Sequence, residues 1–309
     1  MEKKKIVIIS GPTASGKSSF AIQVAKKFNG EIISCDSMQI YKHLDIGTAK
    51  ILNNEMDGVP HHLLDIINPN EEFSVEEYVR LAKEKINEIT QRGKLPIIVG
   101  GTCFYIKALI SPYSFCSSPK DEKIRAYYND FLEKYGKEKL YEILKDKDFD
   151  ASTKIHANDT KRVIRALEIF DTKQTTKTEL NSQDLQEEVY DSVFVILYDD
   201  RHSLYQKINS RVDKMFETGL VDEFRTNTKK YNLNEKSQSM QAIGYKELFL
   251  LEDNNLTDVK ELIKQHTRNY AKRQLTFLRS FKDAQWFDPK NHFDNALKYI
   301  QKRLYEKER

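Results

Sequence analysis

Short apolar runs alternate with longer amphipathic stretches along most of this chain. The runs at residues 5–10, 31–36, 95–100 and 192–198 have the length of strands, and a weaker one lies at 284–287. Apolar positions at helical spacing follow most of them, at 17–28, 75–91, 104–110 and 204–218. Such alternation predicts an α/β fold built on a doubly wound parallel sheet, with ligands held at the C-terminal ends of the strands.

The rhythm breaks between residues 111 and 188, a stretch rich in Lys, Glu, Asp and Tyr with helical spacing and no convincing strand. This predicts an inserted helical domain at 113–190, dividing a core made of 1–112 and 191–309. The chain's 309 residues suffice for one large domain carrying such an insertion. Hydrophobic residues at 39% and charged residues at 31% suit a soluble globular protein. No apolar run approaches the ~20 residues that cross a bilayer, so no membrane association is expected. The basic start, Met1-Glu2-Lys3-Lys4-Lys5, precedes an apolar stretch too short for a secretory leader, and we expect it to belong to the folded protein. Cys35, Cys103 and Cys116 are few and unpatterned, which argues against disulfides or a zinc site and fits a reducing cytoplasm. A net charge of +3 permits a nucleic-acid partner without requiring one.

The first predicted strand runs into Gly11-Pro12-Thr13-Ala14-Ser15-Gly16-Lys17-Ser18, which fits G-x-x-x-x-G-K-[ST] and is followed by an amphipathic helix. Glycines let the backbone curl so that successive amides point at phosphate oxygens, and the helix dipole adds positive potential. Lys17 supplies a mobile point charge, and Ser18 offers a hydroxyl to Mg²⁺. The motif names a phosphate group and not a reaction; ATP, GTP or another diphosphate could sit there. A nucleotide kinase would need an arginine-bearing lid and a base pocket, and neither is evident. An NTP-switched RNA-binding regulator would leave Asp36 without a role.

The second strand ends in Ser34-Cys35-Asp36-Ser37-Met38-Gln39-Ile40-Tyr41, followed by Asp45-Ile46-Gly47-Thr48-Ala49-Lys50. Gly58-Val59-Pro60-His61-His62-Leu63-Leu64-Asp65 and Val99-Gly100-Gly101-Thr102-Cys103-Phe104-Tyr105 come next. Later blocks are His156-Ala157-Asn158-Asp159, Lys161-Arg162-Val163-Ile164-Arg165-Ala166-Leu167-Glu168, Ala242-Ile243-Gly244-Tyr245 and Tyr270-Ala271-Lys272-Arg273-Gln274-Leu275-Thr276. In this order and spacing, from residue 5 to residue 281, they resemble the tRNA dimethylallyltransferase family.

The resemblance implies transfer of dimethylallyl from dimethylallyl diphosphate to the exocyclic amine of the adenine on the 3′ side of the anticodon. It further implies a monomer that uses Mg²⁺ and flips the adenine from the anticodon stem-loop of tRNA into a channel. Asp36 matches the base that takes the amine proton, and Thr102 a threonine contacting the transferred region. Arg125 and Arg211 match arginines near the substrates, with Arg211 on the diphosphate. Residues matching tRNA contacts are Asp36, Ser37, Met38 and Gln39, the run Lys161, Arg162, Val163, Ile164 and Arg165, and the pair Lys272 and Arg273. The basic residues of both later groups have helical spacing and suit phosphate contact. His61 and His62, which would face different sides of a helix, are expected to make structural hydrogen bonds. Cys35 and Cys103 are expected to be buried fillers, since the reaction needs no thiolate.

Overall fold

β1 (Lys4–Ser10) lies inside a six-stranded sheet, and its Ile6, Val7, Ile8 and Ile9 are fully buried. The strand order is β3-β2-β4-β1-β5-β6, where β2 is Gly30–Ser34, β3 His61–His62, β4 Leu95–Val99, β5 Tyr190–Leu197 and β6 Gln285–Phe287. Every neighbouring pair is parallel, with Val7 beside Ile97 on one side and Val193 on the other. The computed structural model describes residues 3–111, 121–173, 190–252, 255–288 and 293–305.

Side chains alternate across a strand, so each apolar run must be covered twice. Val7, Ile9, Ile97, Val99, Val193 and Val195 pack against α1 (Lys17–Lys27) and α10 (Phe293–Tyr305). Ile6, Ile8, Ile33 and Ile98 point the other way and are equally buried, with α2 (Val75–Gln91) packed on β2 and β4. The path after β1 leads to one side of it, through α1 to β2, while β5 lies on its other side. In doubly wound sheets the crevice at such a reversal is where ligands bind.

Expected and observed strands agree closely, except that β2 stops at Ser34 and releases Cys35 and Asp36 from the sheet. His61 and His62 make the structural hydrogen bonds expected of them, but from a strand and not a helix. They form β3, paired to Ile32 and Ile33, and the preceding Pro60 accepts the Ile32 amide. His61 Nδ1 contacts the Val59 carbonyl at 2.8 Å and His62 Nε2 the Glu31 carboxylate at 2.7 Å.

The chain divides into two compact units, Met1–Leu109 with Tyr190–Arg309, and Ile110–Val189. The first also contains α3 (Cys103–Ile110) up to Leu109, α7 (Arg201–Glu217), α8 (Leu220–Tyr231) and α9 (Leu256–Leu278). The described part of the second unit is helical: α4 (Glu122–Lys147), α5 (Phe149–Lys154) and α6 (Thr160–Lys173) close around Tyr128, Leu140, Leu144, Val163 and Leu167. Asp121 and Asp148 cap α4 and α5 by accepting backbone amides. Residues 113–120 and 174–189 of the expected insertion lie outside the described residues. Among the described residues no helix is long and apolar enough to cross a membrane.

Candidate active site

After β1 the backbone curls over the start of α1, with Ala14 at φ 64° and Gly16 at φ 83°. These left-handed residues turn successive amides toward one concavity. A Cβ on Gly11 would lie 2.3 Å from the Leu197 carbonyl oxygen, so this loop can hug the sheet only with glycine there. Gly16, as N-cap, provides no side-chain acceptor for the first turn of α1, which leaves the helix end suited to an anion. The Ser15 hydroxyl is buried without a hydrogen-bond partner among the described residues, a group that a phosphate oxygen would satisfy.

Lys17 Nζ bends back and donates to the Pro12 carbonyl at 2.8 Å. Burial and the nearby Arg211 guanidinium pull its pKa down to about 8, against the opposing effect of Asp36 and Cys103. Arg211, on α7, reaches the same loop with Nη1 3.4 Å from Thr13 Oγ1. Two cations thus converge on the open helix end and the buried Ser15 hydroxyl, an arrangement that suits a polyanion.

Asp36 Oδ1 accepts the amides of Met38 at 2.9 Å and Gln39 at 3.3 Å, which fixes the carboxylate at the head of a tight turn. Thr102 Oγ1 accepts the Ser37 amide at 3.0 Å and so ties that turn to the loop after β4. The tie is close: a Cβ on Gly100 would stand 1.9 Å from the Cys35 carbonyl oxygen. Cys35 and Cys103 are buried, and burial pushes both thiols up, Cys103 to about 11.

A third element completes the join. Gln274 of α9, 4% exposed, accepts the Thr13 amide at 2.9 Å and donates to the Gly101 carbonyl at 2.9 Å. The phosphate loop and the glycine pair are therefore held in register by one side chain. Gln274 and Tyr270 stand in the block 270–276 quoted above, but the sequence reading gave neither a place in the site. The signal was present, because residues 270, 273 and 274 share a helix face.

Two cavities, of about 170 and 290 Å³, occupy this crevice. The first is lined by Thr13 to Ser19 together with Asp36, Gln39, Gly100, Gly101, Arg211 and Gln274. The second is lined by Ser37, Met38, Met215, Ile243 and Arg273 among others. Asp36, Thr13, Thr48, Ala49, Arg211 and Tyr270 line both, so one carboxylate borders a phosphate-type chamber and a more apolar one. Burial and the Asp36 charge raise the Tyr270 phenol, which stays neutral and able to donate.

The structure separates some expected partners. Arg273 lies over the Tyr270 ring, 5.7 Å from its centre, beside the second cavity. Lys272, next in sequence, instead lines a different groove with Tyr198 and Trp286. Thr102 lines neither cavity and acts here through Ser37. In the second unit, Arg125 Nε lies 3.0 Å from both oxygens of Glu168, which is fully buried and also accepts from Arg165. Lys161 and Arg162 are exposed, whereas Val163 and Ile164 point into that unit's core and offer no side chain to a partner.

Among the described residues no group of three or more His, Cys, Asp and Glu is placed to hold a metal ion.

The IPP transferase family model matches residues 39–281. The tRNA dimethylallyltransferase of Caldanaerobacter subterraneus subsp. tengcongensis is 47% identical over 288 residues, covering 92% of this chain and 91% of its own. The crystal structure of the full-length tRNA isopentenylpyrophosphate transferase from Bacillus halodurans aligns with a TM-score of 0.73 and 40% identity, over 99% of this chain and 98% of that one. Crystallographic snapshots of a eukaryotic dimethylallyltransferase acting on tRNA align with a TM-score of 0.87 and 31% identity, over 99% of this chain and 80% of that one.

Proposed function

This chain belongs to the IPP transferase family, and from that premise we propose that it transfers a dimethylallyl group from dimethylallyl diphosphate to tRNA. The acceptor is the exocyclic amine of the adenine 3′-adjacent to the anticodon, and diphosphate is released. The observation that carries this is the placement of Asp36 on the wall shared by the two chambers.

The diphosphate occupies the first chamber, against the loop amides, Lys17 and Arg211. The adenine, flipped out of the anticodon loop, occupies the second, beside Tyr270 and the turn Ser37-Met38-Gln39. An aromatic amine is a weak nucleophile because its lone pair is shared with the ring. As its nitrogen bonds to the first carbon of the dimethylallyl group, the carbon–oxygen bond to diphosphate breaks and the oxygen keeps the electron pair. Asp36 takes the amine proton, a contribution of about 10²–10⁴-fold. The loop amides, Lys17 and Arg211 hold the charge that develops on the leaving group.

Mg²⁺ suits this chamber, with the Ser18 hydroxyl as protein ligand and diphosphate oxygens as the others; it would add charge neutralisation. The orphaned Ser15 hydroxyl supports a bound phosphate here. Lys161, Arg162, Arg165, Lys272 and Arg273 contact tRNA phosphates. Arg125, committed to Glu168, holds α4 against α6. Purified protein with labelled dimethylallyl diphosphate should label unmodified tRNA and leave AMP and ATP unlabelled. Labelling of AMP instead would make the chain a free-nucleotide prenyltransferase.

A further inference from the structure

Helix α9 also forms one wall of a groove outside the two chambers, a space of about 700 Å³ between α7, α9 and the end of the sheet. Tyr198 and Trp286 meet edge to face across the last two strands, with ring centres 5.9 Å apart at 64°. Tyr198 is 39% exposed, a large aromatic surface left open to solvent. Arg201 sets its guanidinium 5.3 Å from the centre of the Tyr205 ring, and Lys272 and Arg279 line the same space. The acidic lining residue, Asp199, is already engaged by Lys207 at 2.5 Å. What faces the groove is therefore three cations around an aromatic floor.

That combination selects a ligand with both negative charge and a flat π-face, which is the chemistry of a nucleotide. We propose that the groove binds a second nucleotide of the same tRNA, its base stacked on Tyr198 and Trp286 and its phosphate held by Arg201, Lys272 and Arg279. This rests on the function proposed above and extends it. Continuity favours tRNA over a free nucleotide. Tyr270 and Arg273 of α9 line the adenine-side chamber, and Lys272 of the same helix and its C-cap residue Arg279 line the groove. An RNA strand leaving the chamber needs to cross only the ~10 Å breadth of one helix to reach it.

Trp286 is the sole tryptophan of the chain, so its fluorescence reports on this groove alone. Titration with an unmodified anticodon stem-loop RNA should quench Trp286 saturably, over the concentrations at which filter retention shows the RNA binding. Dimethylallyl diphosphate alone should leave the emission unchanged. Tyr198→Ala should weaken RNA binding, and raise KM for RNA, by about tenfold, with KM for the donor unmoved. Unchanged emission at RNA concentrations that saturate the filter assay overturns the proposal. So does equal quenching by AMP at the same nucleotide concentration, which would make the groove a site for free nucleotides. RNA that binds and quenches yet receives no prenyl group would instead overturn the function proposed above, and leave the groove assignment standing.

Discussion

Asp36→Asn separates proton acceptance from local structure, because the wild-type carboxylate does two jobs through different capacities. Its Oδ1 accepts the amides of Met38 at 2.9 Å and Gln39 at 3.3 Å, and the carbonyl oxygen of Asn can accept the same two. The turn should survive in Asn, and the stability change should stay within about 0.5 kcal/mol. Asp36→Ala loses both bonds, at a cost of about 0.5–2 kcal/mol by analogy with lost helix caps. Neither variant can take a proton, so both should slow the chemical step by about 10²–10⁴-fold. That factor corresponds to about 2.7–5.4 kcal/mol of transition-state stabilisation. Single-turnover transfer at saturating donor and tRNA isolates the step, while thermal unfolding and separate binding titrations follow the rest. The expected pattern is an Asn variant with native stability and affinities but slow transfer, and an Ala variant that is equally slow and less stable. An Asn variant with near wild-type transfer would refute the proton-acceptor role and leave Asp36 as a turn-former.

Burial and Arg211 lower the Lys17 pKa to about 8, and a neighbouring diphosphate would favour its charged form. Donor affinity should therefore fall above that pH, by up to about tenfold per unit, and the dependence should vanish in Lys17→Met; calorimetric titration across the range checks both. Gly100→Ala drives a Cβ to 1.9 Å from a backbone oxygen, while in Gly101→Ala the nearest atom, at 2.4 Å, belongs to the Gln274 side chain. The first should lower the melting temperature more than the second, and the reverse order in calorimetry would contradict this packing. Gln274→Leu strips the partner from the Thr13 amide, at about 1–3 kcal/mol if that group is left buried, whereas the Gly101 carbonyl keeps the Cys103 amide at 3.0 Å. It should raise KM for the donor with the affinity for tRNA unchanged, and steady-state kinetics with tRNA titration would show whether the two effects separate.

The parallel sheet was legible because Ile and Val runs must be buried on both faces, and that requirement leaves a direct mark in β1, β4 and β5. The phosphate loop was legible for a similar reason: its geometry depends on residues within one turn of each other. β3 left no such mark, since its two histidines pair through backbone and carry no apolar run. Long-range ties were invisible as well. Glu223 of α8 accepts the amides of Asp45, Ile46 and Gly47, and Tyr245 donates to it at 2.5 Å, which fixes the loop bearing Thr48 and Ala49. No local pattern couples residues so far apart in sequence. Neighbours in sequence can also part ways: Lys272 and Arg273 form one basic pair on paper, but a helix turns adjacent residues by about 100°, and they face different cavities.

Prenylation of one adenine in tRNA leaves a modified base that can be read directly. Transfer RNA lacking the modification is incubated with the protein, Mg²⁺ and dimethylallyl diphosphate, then digested and sequenced as fragments by mass spectrometry. The expected product carries a single dimethylallyl unit in place of one hydrogen, on the exocyclic nitrogen of the adenine 3′ to the anticodon, absent with Asp36→Asn over the same time. An unmodified anticodon loop, or prenyl groups on other bases with equal frequency, would contradict the proposed function.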